Sequence, residues 1–454
     1  MLAERMMWMK HSERLKDEII QCRYEGKDVQ RLEQEVQIVL NLQEGTDKER
    51  LADAVYKKLE ESPVRADFLF QEPQTYAGIR QVLPKEASDV FPFHKQTYPE
   101  HLRGAWYGRA IGCLLGIPVE GWSRARILGY LKESGQYPLA GYIRSDADLE
   151  IREKYQIMDL DPNHSYDRRV ICWKNNISSF PVDDDLNYLI AAMKLLEDFG
   201  RDFSSENVME NWLISFPFLH SCTAERVACQ NALNLIPVTA TATVYNPYRE
   251  WIGAQIRGDF FGYINPGNPT QAASMAYRDA AISHTKNGIY GEMFIAALIS
   301  LAAQPEMSMP QICRKALQQI PQTSRLYQDV LQIVEHFEKG VSYEKLEEQI
   351  YRQYDPDQSF DWCYVNPNTM ICVAVVLCYE KSFGEAIAHA VTAGFDTDCN
   401  GATVGSILGM RGGFRAIEEK WTEDLEPVLH SSISRYEQIR LDEAAARTMK
   451  IIPF

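Results

Sequence analysis

Three consecutive aspartates are the residues of this chain whose spacing most clearly suggests chemistry. Asp183, Asp184 and Asp185 directly precede an apolar segment, residues 186–199, whose pattern predicts a helix. A carboxylate in the first turn of a helix is stabilised by about 0.3–1 kcal/mol, so helix capping accounts for one of them. Three adjacent carboxylates repel one another unless a cation lies between them. The cluster therefore favours metal binding over capping.

A second acidic pair, Asp396 and Asp398, precedes a glycine-spaced helix much later in the chain. An Asp-x-Asp turn places two carboxylates side by side, which is a common way to hold Mg²⁺ or Ca²⁺. Capping of the following helix is again the simpler alternative. Because both clusters stand at predicted helix starts, together they indicate a single site that could hold two cations roughly 3.5–4 Å apart.

Glycine recurs at every fourth position in two segments. The first contains Gly104, Gly108, Gly112 and Gly116, and the second contains Gly401, Gly405 and Gly409. Each helical glycine costs about 1 kcal/mol relative to alanine, so the spacing indicates that a helix lies very close to another helix or to a ligand. Arg109 interrupts the first segment, which argues against a membrane dimer. We expect tight packing in a soluble helical core; under the ligand alternative, Gly112 is a substrate-binding candidate.

Helical patterns dominate beyond residue 99, and alternating strand patterns are scarce. The clearest helical segments are residues 188–199, 291–303, 324–340, 370–380 and 384–395. The sequence therefore predicts an all-α fold, an orthogonal bundle with the acidic clusters at helix N-termini. Residues 1–98 are predicted to be a helical extension followed by a proline-containing connector, and residues 99–454 form the main domain. We expect the extension to cap the main domain, with partner binding as the alternative.

The composition disfavours several classes of function. Apolar residues make up 45% and charged residues 24% of the 454-residue chain, as in an ordinary globular protein. The formal net charge of −16 disfavours general electrostatic binding to nucleic acid or anionic membranes. The ten cysteines form no CxxC pair and the N-terminus lacks an apolar signal core, so we expect reduced thiols in a cytoplasmic protein. No apolar stretch is long enough to predict a membrane-spanning helix.

Four segments, taken in order, resemble the ADP-ribosylglycohydrolase family. They are Gly108, Gly112 and Gly116 followed by Pro118 and Glu120; Val182 to Asp185; Arg278 and Asp279 through His284 to residues 287–291; and Asp396 to Ala402. The resemblance covers residues 99–415, and the two acidic motifs in this order are its specific part. It implies an all-α fold with a two-Mg²⁺ centre and hydrolysis of an N- or O-glycosidic bond to ADP-ribose or a related ribosyl compound.

The resemblance implies roles for individual acidic residues. Asp183, Asp184, Asp396 and Asp398 correspond to metal ligands, and Glu120 and Asp184 are the expected catalytic residues.

This chain departs from the family's pattern beside those ligands. Val182, Asp185 and Cys399 stand where threonines are expected, and Cys113 stands where an aspartate is expected. Valine cannot bind Mg²⁺, so we expect Asp185 to supply the lost contact. Thiolate sulfur is a poor Mg²⁺ ligand, so Cys399 is expected to act through its backbone carbonyl or a water. The centre is therefore predicted to be a variant one, with Mn²⁺ or Ca²⁺ as alternatives to Mg²⁺.

The resemblance also implies a ligand-facing stretch at His284, Asn287, Gly288 and Tyr290. A lone histidine is more often structural, which is the alternative for His284. The glycine-rich segment 252–259 contains Arg257 and Asp259. These two could line the cleft, with Arg257 contacting phosphate, or they could form an internal salt bridge.

The leading hypothesis is a metal-dependent hydrolase acting on small-molecule or protein-linked ADP-ribosyl compounds. One alternative is a catalytically weak ADP-ribose-binding module, because threonine ligands are lost. The other alternative is a hydrolase of small nucleoside or sugar N-glycosides, which the N-terminal extension would favour if it narrows the cleft.

Overall fold

The apolar segments of the sequence form helices, and the predicted all-α class is confirmed. The computed structural model describes residues 6–161, 166 and 170–453, and these contain twenty α-helices and one two-stranded sheet. In chain order the helices are α1 (His11–Tyr24), α2 (Glu33–Leu40), α3 (Thr46–Glu60), α4 (Tyr76–Val82), α5 (Tyr98–Gly116), α6 (Arg124–Glu133), α7 (Leu149–Lys154), α8 (Asp184–Phe199), α9 (Ser205–Ser215), α10 (Thr223–Leu233), α11 (Gly258–Tyr263), α12 (Pro269–Ala280), α13 (Lys286–Ala302), α14 (Met309–Leu317), α15 (Arg325–Glu338), α16 (Tyr343–Gln353), α17 (Val365–Cys378), α18 (Phe383–Thr392), α19 (Thr397–Gly412) and α20 (Leu441–Ile451). Strands β1 (Val428–His430) and β2 (Gln438–Arg440) pair antiparallel, with Leu429 opposite Ile439.

Both acidic clusters stand at helix N-termini, as predicted. Asp183 is the extended N-cap of α8, and its side chain accepts a hydrogen bond from the backbone amide of Asp185 at 3.1 Å. Helix α19 begins at Thr397, immediately after its N-cap Asp396. The chain reaches this N-cap through Phe395, which has a left-handed backbone conformation (φ 57°). These two helix starts present the carboxylates towards each other.

Glycines allow α5 and α19 to pack with their backbones in contact. A Cβ atom on Gly112 would lie 1.9 Å from the carbonyl oxygen of Gly401, and one on Gly108 would lie 2.1 Å from that of Gly405. Gly104 faces Gly409 in the same way, so the two helices run antiparallel. The expectation of tight packing in a helical core is confirmed. Gly112 serves this contact, and no Cβ could be placed there without separating the helices.

The same contact brings the end of α5 to the start of α19. A Cβ on Gly116 would lie 2.4 Å from the backbone nitrogen of Asp398, and the hydroxyl of Thr397 donates a hydrogen bond to the carbonyl of Gly116 at 3.0 Å. Glu120 follows α5 after one short 3₁₀ turn. The glycine spacing therefore determines where Glu120 stands relative to Asp396 and Asp398.

Helices α1 to α3 have a small apolar core of their own, built around Leu15, Cys22, Ala52 and Leu59. This part of the chain is joined to the rest by buried ion pairs. Arg249 contacts Glu18 at 2.8 Å and Glu25 at 2.7 Å. The connector that follows is also anchored, because Glu72 pairs with Arg325 at 2.7 Å.

All ten cysteines are free thiols. Among the described residues, no helix combines the length and the hydropathy that crossing a membrane requires.

Candidate metal centre

A cavity of about 140 Å³ lies between the starts of α8 and α19. Five of the residues that line it were predicted from the sequence as site residues: Glu120, Asp184, Asp396, Asp398 and Cys399. Asp396 and Asp398 are at most 5% exposed, whereas Glu120 is exposed at the cavity mouth. The two acidic motifs and the end of α5 thus converge on one cavity.

The carboxylates approach one another at distances suited to metal ligands. One oxygen from each of Glu120, Asp396 and Asp398 lies within 4.8 Å of the other two. Asp185, Asp398 and Cys399 form a second such group, and Asp398 belongs to both. Two neighbouring groups that share a carboxylate are the arrangement expected of a centre for two cations.

Asp183 belongs to neither of these two groups, although its neighbour Asp185 belongs to the second. It forms a third buried group with Cys113 and Asp185, and it is not among the residues lining the cavity. Burial raises the pKa of the Cys113 thiol well above its usual value, which disfavours the thiolate form that binds metals. Asp183 therefore caps α8 behind the cavity, while Asp184 lines it.

Asp185 has a carboxylate oxygen that the protein leaves unsatisfied. Arg109 donates to its Oδ1 at 2.8 Å, whereas Oδ2 has no hydrogen-bond partner among the described residues. The side chain is completely buried, and an unpaired buried oxygen costs roughly 1–3 kcal/mol. A cation beside Oδ2 would remove this cost, so the residues present fit a bound metal.

Burial and mutual repulsion shift the pKa values of these acids upwards. The pKa of Asp396 is raised well above its usual value by burial, and further by the neighbouring Asp398 and Glu120. The pKa of Asp185 is raised chiefly by burial, which outweighs the opposing effect of Arg109. These carboxylates are therefore costly to ionise together unless a cation compensates their charge.

Hydrogen bonds hold the start of α19 in place. The backbone amide of Asp396 donates to Oδ1 of Asn368 at 3.1 Å, and the side chain of Asn400 donates to the same oxygen at 2.8 Å. The Cys363 thiol donates to Oδ2 of Asp396 at 3.5 Å. Asn368 on α17 therefore orients the Asp-x-Asp turn.

Arg257 and Asp259 do not line the cavity. Asp259 is buried and accepts a hydrogen bond from Arg109 at 2.7 Å. Arg257 is held inside by Glu225 at 2.5 Å and by Asp279 and Ser283. Both residues form internal salt bridges, but with other partners and not with each other.

Glu225 is a cavity residue that the sequence did not reveal. It lies near the start of α10, lines the cavity and is only 2% exposed. Burial raises its pKa to about 7, despite the nearby Arg257. A carboxyl group that titrates near neutral pH inside a cavity is suited to proton transfer.

No residue from His284 to Tyr290 lines the cavity, although His284 Nδ1 lies 3.9 Å from the cavity residue Glu225. Asn287 donates to Glu72 at 2.8 Å, and the Tyr290 hydroxyl donates to the carbonyl of Pro73 at 2.5 Å. Gly288 packs against the carbonyl of Arg249. His284 is buried, its Nδ1 lies 2.8 Å from the Ser283 hydroxyl, and burial lowers its pKa well below the usual value. In the structure, His284, Asn287, Gly288 and Tyr290 therefore contact other parts of the protein and do not line the cavity.

Aromatic residues form much of the remaining cavity wall: Trp8, Tyr166, Trp251 and Trp362. Of the aromatic residues Trp122 and Trp362, only Trp362 lines the cavity. Trp122 instead packs against Arg126 and Trp173. Trp8 comes from the N-terminal extension, and no sequence pattern singled it out.

Comparison with known proteins shows the family to which the chain belongs. The ADP-ribosylglycohydrolase family matches residues 94–450, which is most of the chain. The chain therefore belongs to the ADP-ribosylglycohydrolase family. A solved structure titled "ADP-ribosylglycohydrolase-related protein complex" is 17% identical, with 78% of this chain and 98% of that chain covered and a TM-score of 0.47. No curated protein matches the chain.

Proposed function

We propose that this protein is a divalent-cation-dependent hydrolase that cleaves an N- or O-glycosidic bond of an ADP-ribosyl or related ribosyl compound. The observation that carries the proposal is the convergence of Glu120, Asp396, Asp398 and Cys399 in one cavity, with Asp185 within 4.8 Å of the ligand atoms of Asp398 and Cys399. Family membership supports glycoside cleavage as the reaction class.

The donor set suits two hard cations. Glu120, Asp396 and Asp398 would hold one, and Asp185 with Asp398 would hold the other, beside the thiol of Cys399. Carboxylate oxygens favour Mg²⁺, with Mn²⁺ as the closest substitute. A bound Mg²⁺ would coordinate ribose hydroxyls or a diphosphate and would polarise the attacking water.

Two further carboxyl groups of the cavity are assigned to proton transfer. In the reaction, the oxygen of a water bonds to the anomeric carbon as the glycosidic bond breaks. Asp184 lines the cavity and receives the proton of that water. Glu225 retains its proton at pH values below about 7 and gives it to the departing group. The surrounding carboxylates stabilise the positive charge that develops on the sugar.

A hydrolysis assay on a panel of substrates tests this proposal. The panel contains ADP-ribosylated arginine, ADP-ribosylated serine and a nitrophenyl ribofuranoside, each measured with Mg²⁺ and with a chelator. We expect Asp398→Asn to lower kcat/KM at least about 100-fold, because one residue serves both ligand groups. Asp47→Asn is the matched control, since Asp47 also stands in the first turn of a helix but is exposed.

The alternative function is a catalytically weak ADP-ribose-binding module. It is favoured by the position of Cys399, whose thiol occupies a ligand group where a hard oxygen would bind Mg²⁺ better. Tight binding of ADP-ribose without turnover on any member of the panel would support the module and contradict the hydrolase.

A further inference from the structure

The N-terminal extension contributes a wall to the cavity that holds the acidic residues. Trp8 lines this cavity together with Asp184, Asp396 and Asp398, although it is far from them in sequence. We infer that Trp8 is a specificity-determining residue, and that it restricts the site to small glycosides with a flat ring as the leaving group. This inference rests on the proposed hydrolase function and names its substrate class.

Several contacts hold the backbone around Trp8 in place. Arg14, itself completely buried, donates through Nε to the Trp8 carbonyl at 2.7 Å and through Nη1 to the Tyr245 carbonyl at 3.0 Å. Arg226 donates to the carbonyl of Met7 at 3.1 Å. Gln230 donates to the carbonyl of Met9 at 3.3 Å. The segment is therefore fixed at three consecutive residues.

The backbone of Trp8 is in the left-handed region, with a φ of 63°. A bulky side chain rarely adopts this conformation, because the Cβ atom crowds its own backbone. Strained residues of this kind persist where surrounding contacts determine them, often beside a functional site. The Arg226 guanidinium also lies 4.8 Å from the centre of the Trp8 ring. The indole is thus held at the cavity by backbone and side-chain contacts together.

The volume of the cavity limits what can enter. It is about 140 Å³. Pockets for drug-sized ligands are larger, about 300–1,000 Å³. One sugar ring fits this space, whereas the adenosine and diphosphate of an ADP-ribosyl group must lie outside.

The chemistry of the wall fits a sugar with a flat leaving group. Trp251 and Trp362 line the same cavity, and the indole N–H of each is buried without a hydrogen-bond partner among the described residues. These two donors would serve oxygen atoms of the substrate. A third indole, Trp8, offers an apolar surface on which a planar ring can stack. The carboxylates and indoles that line this cavity would together orient the glycosidic bond.

Kinetics of Trp8 variants test this inference with Mg²⁺ present. The selectivity is the ratio of kcat/KM for a nitrophenyl ribofuranoside to kcat/KM for an arginine-ADP-ribosylated protein. Loss of one aromatic stacking surface should lower this ratio about tenfold in Trp8→Ala, mainly through a higher KM for the small substrate. Trp8→Phe keeps a planar ring and should stay within about threefold of the wild type. Met7→Ala is the control. The Met7 side chain is exposed, whereas its backbone carbonyl accepts a hydrogen bond from Arg226, as the Trp8 carbonyl does from Arg14.

The outcomes separate this inference from the proposed function. An unchanged ratio in a folded, active Trp8→Ala variant overturns the role of Trp8 and leaves the hydrolase function standing. If the wild type hydrolyses neither substrate, the hydrolase function fails, and calorimetric binding of ribose 5-phosphate and of nitrophenyl ribofuranoside decides the role of Trp8. Weaker binding of the nitrophenyl compound alone by Trp8→Ala supports the stacking role. Equal binding by both proteins, or no binding by either, overturns it.

Discussion

Replacing Gly112 by alanine tests the link between the packing of α5 on α19 and the acidic site. The new Cβ atom would lie 1.9 Å from the carbonyl oxygen of Gly401, which is about 1.5 Å short of ordinary van der Waals contact. Because the obstacle is backbone, no side-chain rotation can relieve it. The helices must separate, and α19 carries Asp396 and Asp398 at its start.

The expected magnitudes follow from this geometry. In an uncrowded helix, glycine to alanine would stabilise the protein by about 1 kcal/mol. Overpacking costs about 1–3 kcal/mol, and the larger value applies here because backbone meets backbone. We therefore expect a net loss of about 2 kcal/mol in stability. A displacement of about 1 Å in the ligand set should also weaken Mn²⁺ binding at least about tenfold.

Chemical denaturation and calorimetric titration with Mn²⁺ measure the two effects. Gly141→Ala is the matched control, because a Cβ at Gly141 meets nothing within 4 Å. This control should change neither the denaturation midpoint nor the Mn²⁺ affinity. A Gly112→Ala variant as stable as the wild type and with the same Mn²⁺ affinity would refute the reasoning.

Two further predictions concern buried charges. Arg109→Met leaves Asp185 and Asp259 buried without their ion pairs, at a cost of about 3–5 kcal/mol in unfolding free energy. Arg103→Met removes an exposed pair and should cost less than about 1 kcal/mol, so equal losses in denaturation would contradict the prediction. The pKa of Glu225 is raised to about 7 in the folded protein. Between about pH 4.5 and 7, Glu225 therefore keeps its proton in the folded protein but has lost it in the unfolded chain. Stability therefore falls as pH rises through this window, by at most about 3 kcal/mol from this group. Glu225→Gln cannot ionise and should lose less stability between pH 5 and 8; identical pH dependence in both proteins would show the assignment to be wrong.

The sequence predicted those features that depend on local pattern. Helical periodicity identified the helices, and Asp396 and Asp398 were recognisable because an Asp-x-Asp turn places two carboxylates side by side, as in many Mg²⁺ and Ca²⁺ sites. The glycine spacing predicted a close backbone contact, since glycine is otherwise costly in a helix. It did not say whether a helix or a ligand lies opposite. The structure answers this for Gly112, because the carbonyl of Gly401 occupies the position.

Features that depend on the approach of distant segments could not be predicted. Asp183, Asp184 and Asp185 are adjacent, but successive residues at a helix start point in different directions, so only Asp184 lines the cavity. The stretch around Asn287 carries a family motif, yet in this chain Glu72 of the connector covers it. Trp8 reaches the cavity only through contacts between the N-terminal segment and α10, and no local signal in the sequence marks such contacts.

We propose that the cavity between α8 and α19 holds a metal centre. Crystals soaked in Mn²⁺ and measured for anomalous scattering test it most directly. We expect one peak within ligand distance of Glu120, Asp396 and Asp398 and a second beside Asp185. Strong peaks elsewhere with none in this cavity, at Mn²⁺ concentrations that saturate binding in solution, would contradict it.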